Sequence, residues 1–495
     1  MIRRGLTLAS LLTLAACATM APPNDRPPAP VPPSWPVGDA YLRQNEAALP
    51  SVSYRDIFRD PRLQALIEQA LVNNRDLRIA AANIAAARGA YRAQRGQQFP
   101  TVTAGAGATA QRGGAQAAAI PGGTAGGPRT FEIYQADVGV TAFELDLFGR
   151  VRSLARAELE TYFATEAAAR ATRLTLVGDI ADAWLAYAAD RSLLQIAEQT
   201  AKNAADSVRL TRLRLEGGVV PRTDVRQAEL IEAQARSDLA AQRTRLAQDI
   251  NLLQLLVGAP IDTANLPESI DRVAPSLAEL PAGLSSEILL RRPDVVQAEY
   301  QLRSANARIG AARAALFPRI SLTGLLGFAS TSLGSLFTGD AFTWSAGGNV
   351  DYNIFDGGTA RGNLLTSRAQ RDAAVATYER TIQTAFREVS DALARRGTIA
   401  DQEAAQQRLV ASALDNYNLS NARYRGGIDT FLQTLDAQRS LYTAQQSQVA
   451  TQLERAQNLV ALYRTLGGDA GLDVTDDGPR AVSPEPTATP VPRTR

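Results

Sequence analysis

Residues 342–355 run FTWSAGGNVDYNIF. Phe342, Trp344, Ala346, Val350, Tyr352 and Ile354 fall on one side of an extended chain. Thr343, Ser345, Gly347, Asn349, Asp351 and Asn353 fall on the other. Period-two alternation of this kind marks a β-strand with one apolar and one polar face. Three further segments carry it. After Pro100, Val102, Ala104, Ala106, Ala108 and Ala110 alternate with Thr101, Thr103, Gly105, Gly107 and Thr109. Tyr134, Ala136, Val138, Val140 and Ala142 alternate with Gln135, Asp137, Gly139 and Thr141. Ile320, Leu322, Leu326 and Phe328 share a face interrupted by Gly324. The strands are expected at about 100–110, 131–147, 318–328 and 342–355, with Gly/Ser/Ala/Thr-rich hairpin loops at 111–128 and 329–340. A soluble sheet packed on a core would give the same alternation. Strands of about ten residues, aromatics near their ends and a Gly/Ser/Thr/Asn face point instead to a transmembrane barrel with a watery lumen. An open sheet edge is not tolerated in lipid, and about eight strands is the small end for closure. The barrel therefore has to be shared between chains.

Outward from the strands, the chain repeats itself. Asp76 leads through an Ala-rich stretch to Phe99-Pro100, and Asp294 leads through another to Phe317-Pro318 (294 − 76 and 318 − 100 both give 218). Gly217-Gly218 matches Gly426-Gly427, and Gly258 matches Gly467 (426 − 217 and 467 − 258 both give 209). The offset shrinks because the first copy carries the longer Gly-rich insertion. This is one architectural unit built twice, unlike a short solenoid repeat. No proline lies between Pro128 and Pro221 or between Pro318 and Pro479. Long helices are expected at about 150–216 and 222–257, and again at 359–425 and 430–466. A helix of that greater length is about 100 Å long and belongs in a coiled coil or extended bundle.

Composition excludes much else. The chain has 495 residues, a formal charge of +2 with both signs interspersed, no histidine and one cysteine. Nucleic-acid binding has no footprint here. Ser-His-Asp and Cys-His catalysis, the usual zinc sites and an intrachain disulfide are removed. Lys202 is the only lysine. The expectation is a protein that is not an enzyme, with no cofactor beyond a covalent lipid. Arg3 and Arg4 followed by the apolar run Leu6 to Leu14 read as a secretory signal, too short to span a membrane as a helix. Leu14-Ala15-Ala16-Cys17 resembles the lipobox of bacterial lipoproteins, which implies a signal peptide at 1–16 and lipid on Cys17. An ordinary signal peptide with a chance cysteine is the alternative. Ala18 leaves out the aspartate that typically retains lipoproteins at the inner membrane, which favours the outer membrane. Residues 17–55 are expected to hold a Pro-rich tether, 56–258 and 285–468 the two repeats, 259–284 a linker, and 469–495 a disordered tail.

The order helix, Phe-Pro, strand, loop, strand, long helix, Gly turn, helix, twice over, resembles the TolC-type outer-membrane efflux family. The closer likeness is to its OprM-like (NodT-type) lipoprotein branch. Leu290-Arg291-Arg292-Pro293-Asp294-Val295 with Ala298-Glu299 is similar to the signature opening the family's second repeat. The junction residues Phe148-Gly149-Arg150 and Phe355-Asp356-Gly357-Gly358 match its strand-to-helix joints, alongside Phe99, Pro100, Phe317 and Pro318. Gly217-Gly218-Val219 with Thr223-Asp224-Val225 matches one helical turn. Tyr424-Arg425-Gly426-Gly427-Ile428-Asp429 with Leu435-Asp436-Ala437-Gln438-Arg439 matches the other. The likeness runs from about Phe58 to Gly468.

The resemblance implies an α+β membrane protein: a trimeric transmembrane β-barrel of four strands per chain, twelve in total, continuous with a long periplasmic α-helical coiled-coil barrel. It implies a passive exit duct with a homotrimeric assembly, a periplasmic adaptor (membrane fusion protein) docking at the turns Gly217, Gly218, Val219, Gly426, Gly427 and Ile428, and an inner-membrane RND-type pump. Carried over by motif, the periplasmic aperture would be formed by Tyr424, Leu432, Asp436 and Arg439 with Thr223 and Asp224. Residues 432, 436 and 439, four and three apart, share one helix face. Rings of Leu432 and Asp436 would resist wetting and repel anions. A surface ion pair between Asp436 and Arg439 is the plainer alternative. Gln433 stands where some relatives carry another aspartate, so a double acidic ring is not expected. A lipid-anchored coiled-coil spacer and a constitutively open porin are the rival readings; the first leaves the strands unexplained and the second the helices.

Overall fold

The computed structural model describes residues 20–36, 53–113, 129–273, 286–468, 471–475 and 478–481. The expected signal segment, Cys17, most of the expected first hairpin loop and the end of the tail lie outside the described residues. In chain order the helices and strands are α1 (Tyr54–Ile57), α2 (Pro61–Asn73), α3 (Arg75–Gly96), β1 (Val102–Gly113), β2 (Arg129–Leu145), α4 (Arg150–Glu216), α5 (Arg222–Val257), α6 (Ile270–Val273), α7 (Pro293–Ala314), β3 (Arg319–Ser330), β4 (Phe342–Asp351), α8 (Thr359–Arg425), α9 (Phe431–Thr465), β5 (Leu472–Thr475) and β6 (Gly478–Ala481). No helix among the described residues is long and apolar enough to cross a membrane. Two compact units emerge: Met1–Pro27 with Ile84–Thr165 and Ala298–Thr377, and Pro28–Asn83 with Glu166–Gln297 and Tyr378–Arg495.

The first unit holds one antiparallel sheet in the order β1-β2-β3-β4. Opposite residues share a face, so the pairs Ala104–Val138, Val138–Leu326 and Leu326–Trp344 carry one apolar surface across all four strands. Thr103–Gly139, Ser321–Asn349 and Thr323–Gly347 belong to the polar surface. Two glycines there are compulsory. A Cβ on Gly139 would lie 2.1 Å from the Gly324 carbonyl oxygen, and one on Gly327 would lie 2.5 Å from that of Ala136. No described side chain of the four strands is buried.

Two details of the strands differ from the sequence expectation. The register slips between Val140 and Phe143, so β2 carries a bulge and its apolar face continues through Phe143 and Leu145; Ala142 does not extend it. And β4 ends at Asp351, not near 355, because its last partner is Arg319, preceded by Pro318, which has no N–H to donate.

At the strand–helix joint of this unit, the rings of Phe148 and Phe317 stack with centroids 4.8 Å apart. The Asp146 carboxylate accepts from the backbone N–H groups of Val151 (3.1 Å) and Arg152 (2.8 Å), capping α4. The proline-rich segment is not a loose tether here. Arg26 makes a two-pronged ion pair with buried Glu299 (3.0 and 3.2 Å), Arg313 donates to the Met20 carbonyl (3.1 Å), and Ala21 lies against Gly310, where a Cβ would come within 2.7 Å. Proline keeps the segment extended, as expected, but side chains of α7 hold it down.

In the second unit a conventional core forms. Val177, Ile180, Trp184 and Leu185 of α4 pack with Leu253 and Val257 of α5, Val460 and Tyr463 of α9, and Leu63 and Ile67 of α2. Burial of such side chains contributes about 1.5–3 kcal/mol each. The Arg-Arg-Pro-Asp motif has a structural role: buried Arg292 donates to Asp294 (2.9 Å), Glu388 (2.8 Å) and the Thr465 carbonyl (3.0 Å). Residues 32–35 are fixed in this unit too, by Ser286 donating to the Pro32 carbonyl (2.8 Å) and Trp35 stacking on Phe386 at 4.9 Å. The tail, expected to be disordered from 469 on, contains the antiparallel pair β5–β6, with Leu472 opposite Ala481 and Thr475 opposite Gly478.

Candidate functional site

The two turns close in the same way. After α4, Gly218 N–H donates to the Leu215 carbonyl (2.9 Å) and Val219 N–H to that of Arg214 (2.9 Å), with Gly218 at φ +71°. After α8, Gly427 donates to Tyr424 (3.0 Å) and Ile428 to Arg423 (2.9 Å), with Gly427 at φ +74°. This is the helix-ending motif that needs a left-handed residue, so only the second glycine of each pair is required by backbone conformation. Gly217 and Gly426 have ordinary room for a Cβ. Each turn then presents a bare apolar side chain, Val219 (70% exposed) and Ile428 (68% exposed). Arg423 grips Asp429 through two bonds, at 2.5 and 3.0 Å, bracing the second turn. That hydrogen bond, with the charge of Arg423 behind it, holds the Asp429 carboxyl below its ordinary range.

Behind the turns lies a small core of Val208, Ala228, Tyr424, Phe431 and Leu435. Tyr424 is only 3% exposed. Its ring meets Phe431 at 5.3 Å, and the Arg214 guanidinium lies 4.5 Å over it. Arg214 also donates to the backbone carbonyls of Tyr424 (2.9 Å) and Arg425 (3.1 Å), and the Tyr424 hydroxyl sits 3.4 Å from that of Thr211. Tyr424 therefore joins the end of α8 to the end of α4 inside one chain, with its side chain buried. Among the described residues, neither Asp224 nor Arg439 forms a hydrogen bond to it. Arg214, Thr211 and Phe431 were not singled out from sequence. The one available signal was that Phe431 follows the second turn at a helix start while Tyr424 precedes it.

The remaining candidates fall on the other side of α9. Phe431, Thr434, Leu435, Ala437 and Gln438 are buried, whereas Leu432 (59% exposed), Asp436 and Arg439 are exposed together. Among the described residues Asp436 and Arg439 make no ion pair with each other, so the face is not a closed surface bridge. Thr223 is exposed and Asp224 half-buried at the start of α5. Of the junction residues, Phe148 and Phe317 come together, while Phe99 and Phe355 are exposed. Cys17 lies outside the described residues. Among the described residues no cluster of three or more Cys, Asp or Glu is arranged to hold a metal ion.

A two-faced sheet whose outer edges have no partner among the described residues, and long helices whose turns expose apolar side chains, together define a subunit of an outer-membrane channel. A family model described as outer membrane efflux protein matches residues 66–259 and 284–468, and the chain belongs to that family. It is 44% identical over 469 residues to the toluene efflux pump outer membrane protein TtgC of Pseudomonas putida, covering 93% of this chain and 95% of that one. It is 40% identical over 457 residues to outer membrane protein OprJ of Pseudomonas aeruginosa, covering 92% and 94%. Among solved structures it resembles the open-state MtrE outer membrane channel of Neisseria gonorrhoeae, with a TM-score of 0.78, 34% identity and coverage of 92% and 99%.

Proposed function

We propose that the chain is the outer-membrane channel of a tripartite efflux pump, a passive exit duct that works as a homotrimer. The observation that carries this is the sheet: four strands, apolar on one face and polar on the other, with no described side chain buried and no partner strand on either outer edge among the described residues. Three chains of four strands supply twelve, enough to close a barrel, put the apolar face against lipid and leave the polar face in water. Cys17 carries lipid that adds a second hold on the outer membrane. No cofactor or catalytic step is needed, because energy comes from an inner-membrane RND-type pump. A periplasmic adaptor docks at Val219 and Ile428, whose exposure without neighbours suits a partner surface.

The aperture is formed by the exposed face of α9, with Leu432 and Asp436 as its rings and Arg439, Thr223 and Asp224 beside them. Tyr424 belongs to the joint behind it, holding the two hairpin ends together so that they move as one piece when the aperture opens. The test is single-channel conductance of the purified assembly in planar bilayers. Leu432→Ala with Asp436→Ala is expected to raise conductance severalfold. Unchanged conductance in a folded assembly would remove the gate from this face, and a wide-open wild type would favour a constitutive pore.

A further inference from the structure

The chain contains one finished joint between its repeats and the two halves of another left open. In the finished joint β2, the last strand of the first repeat, pairs with β3, the first strand of the second. Phe148, between β2 and α4, stacks on Phe317, between α7 and β3, with ring centroids 4.8 Å apart and planes 21° from parallel. In the open joint β4 ends the second repeat and β1 begins the first, and among the described residues neither has a partner on its outer edge. Phe355, between β4 and α8, occupies the place in the second repeat that Phe148 occupies in the first. Phe99, between α3 and β1, corresponds to Phe317, each being followed by proline. These two rings are 90% and 61% exposed.

We propose that Phe355 of one chain stacks on Phe99 of the next copy, beside a β4–β1 pairing that repeats the internal β2–β3 joint. The partner is a second copy of this chain. The proposal rests on the channel reading above and adds to it the contact that sets how neighbouring copies meet. The duplication makes the internal joint a template: sequences that pack Phe148 on Phe317 are present again, separated only by chain identity. The contact is head-to-tail, so the same two surfaces recur around a ring until it closes. An edge strand in lipid needs its hydrogen bonds met, and the aromatic pair fixes which register meets them. An exposed Phe355 and an exposed Phe99 are otherwise unexplained, since no ring among the described residues stacks on either.

Full-length protein bearing both Phe99→Cys and Phe355→Cys, purified from outer membranes, would be treated with a short bis-maleimide and run on denaturing gels after boiling. Covalent dimers and trimers are expected from the double variant and only single chains from either variant alone. Unboiled samples report the assembly separately. An unboiled oligomer that gives no covalent ladder would overturn the stack while leaving the channel reading standing. A single chain in both lanes would overturn the two together. As a second measure, Phe99→Ala and Phe355→Ala should each lower the temperature at which the unboiled oligomer dissociates, and the double variant should lower it no further. Additive losses would mean that the rings act apart.

Discussion

The sheet and the helical tip follow opposite rules. At the tip, each exposed candidate of α9 sits next to a buried residue of the same helix: Leu432 beside Phe431, Asp436 beside Leu435, Arg439 beside Gln438. Tyr424 fills a small core and Arg214 closes it. That region is complete within one chain, so its outward face is free to do something else. The sheet has backbone pairing between its own strands, and none of its described side chains is buried. Its stability has to come from outside the chain, through lipid on one face and further strands at both edges. Position in the fold thus decides what a substitution means: in the sheet it acts through assembly, and at the tip it acts either on folding or on permeation.

The sharpest way to break that contrast is to exchange faces of the sheet. Leu326→Arg places a charge on the lipid side and should cost about 2–4 kcal/mol in each chain, abolishing the heat-resistant oligomer. Ser345→Arg, on the polar side, should leave the oligomer on unboiled gels and change only ion selectivity. Equal damage from both would mean that the two faces are not lipid and lumen. At the tip, Tyr424→Ala should cost about 3 kcal/mol locally, seen as faster hydrogen exchange at the ends of α4 and α8. Leu432→Ala should cost less than about 0.5 kcal/mol and be seen only in conductance.

A third test lies within the self-sufficient helical unit. Asp249 of α5 faces Asp190 of α4, with Arg245 as the nearby cation. Gln242 donates to the Asp190 carboxylate (2.8 Å), whereas one Asp249 oxygen is buried with no donor. Burial first, and then the neighbouring Asp190 carboxyl, push Asp249 from an ordinary value of 3.8 up to about 7. The folded chain then keeps a proton that the unfolded chain has released, so stability falls as pH rises from about 4 to about 7 and levels off above. Allowing for solvent screening of this partly exposed pair, the loss is about 2 kcal/mol. Asp249→Asn should flatten the dependence of unfolding on pH; an unchanged slope would assign it to other groups. Smallest of all, Gly218→Ala or Gly427→Ala should cost about 1 kcal/mol, and Gly217→Ala or Gly426→Ala almost nothing.

Long helices and two-faced strands were legible in the sequence because each follows from local pattern: proline-free alanine-rich runs in one case, strict alternation in the other. What was not legible depends on a partner strand or helix. The β2 bulge is set by how β3 runs beside it, and the end of β4 by Pro318 across the ladder. The burial of Tyr424 depends on Arg214 and Thr211, more than two hundred residues earlier. The Pro-rich segment read as a tether because composition fixes its extension and says nothing of Glu299, Gly310 or Ser286, which receive it. The glycine pairs read as equivalent, and only the backbone dihedral separates Gly218 from Gly217.

One chain holds an unfinished barrel, which copies of itself are expected to complete. Native mass spectrometry of the detergent-purified full-length protein tests it most directly. A dominant species with the mass of three chains is expected, falling to one chain only under conditions that also abolish β-structure in the circular dichroism spectrum. A stable single chain that keeps its four-stranded sheet in detergent would contradict it.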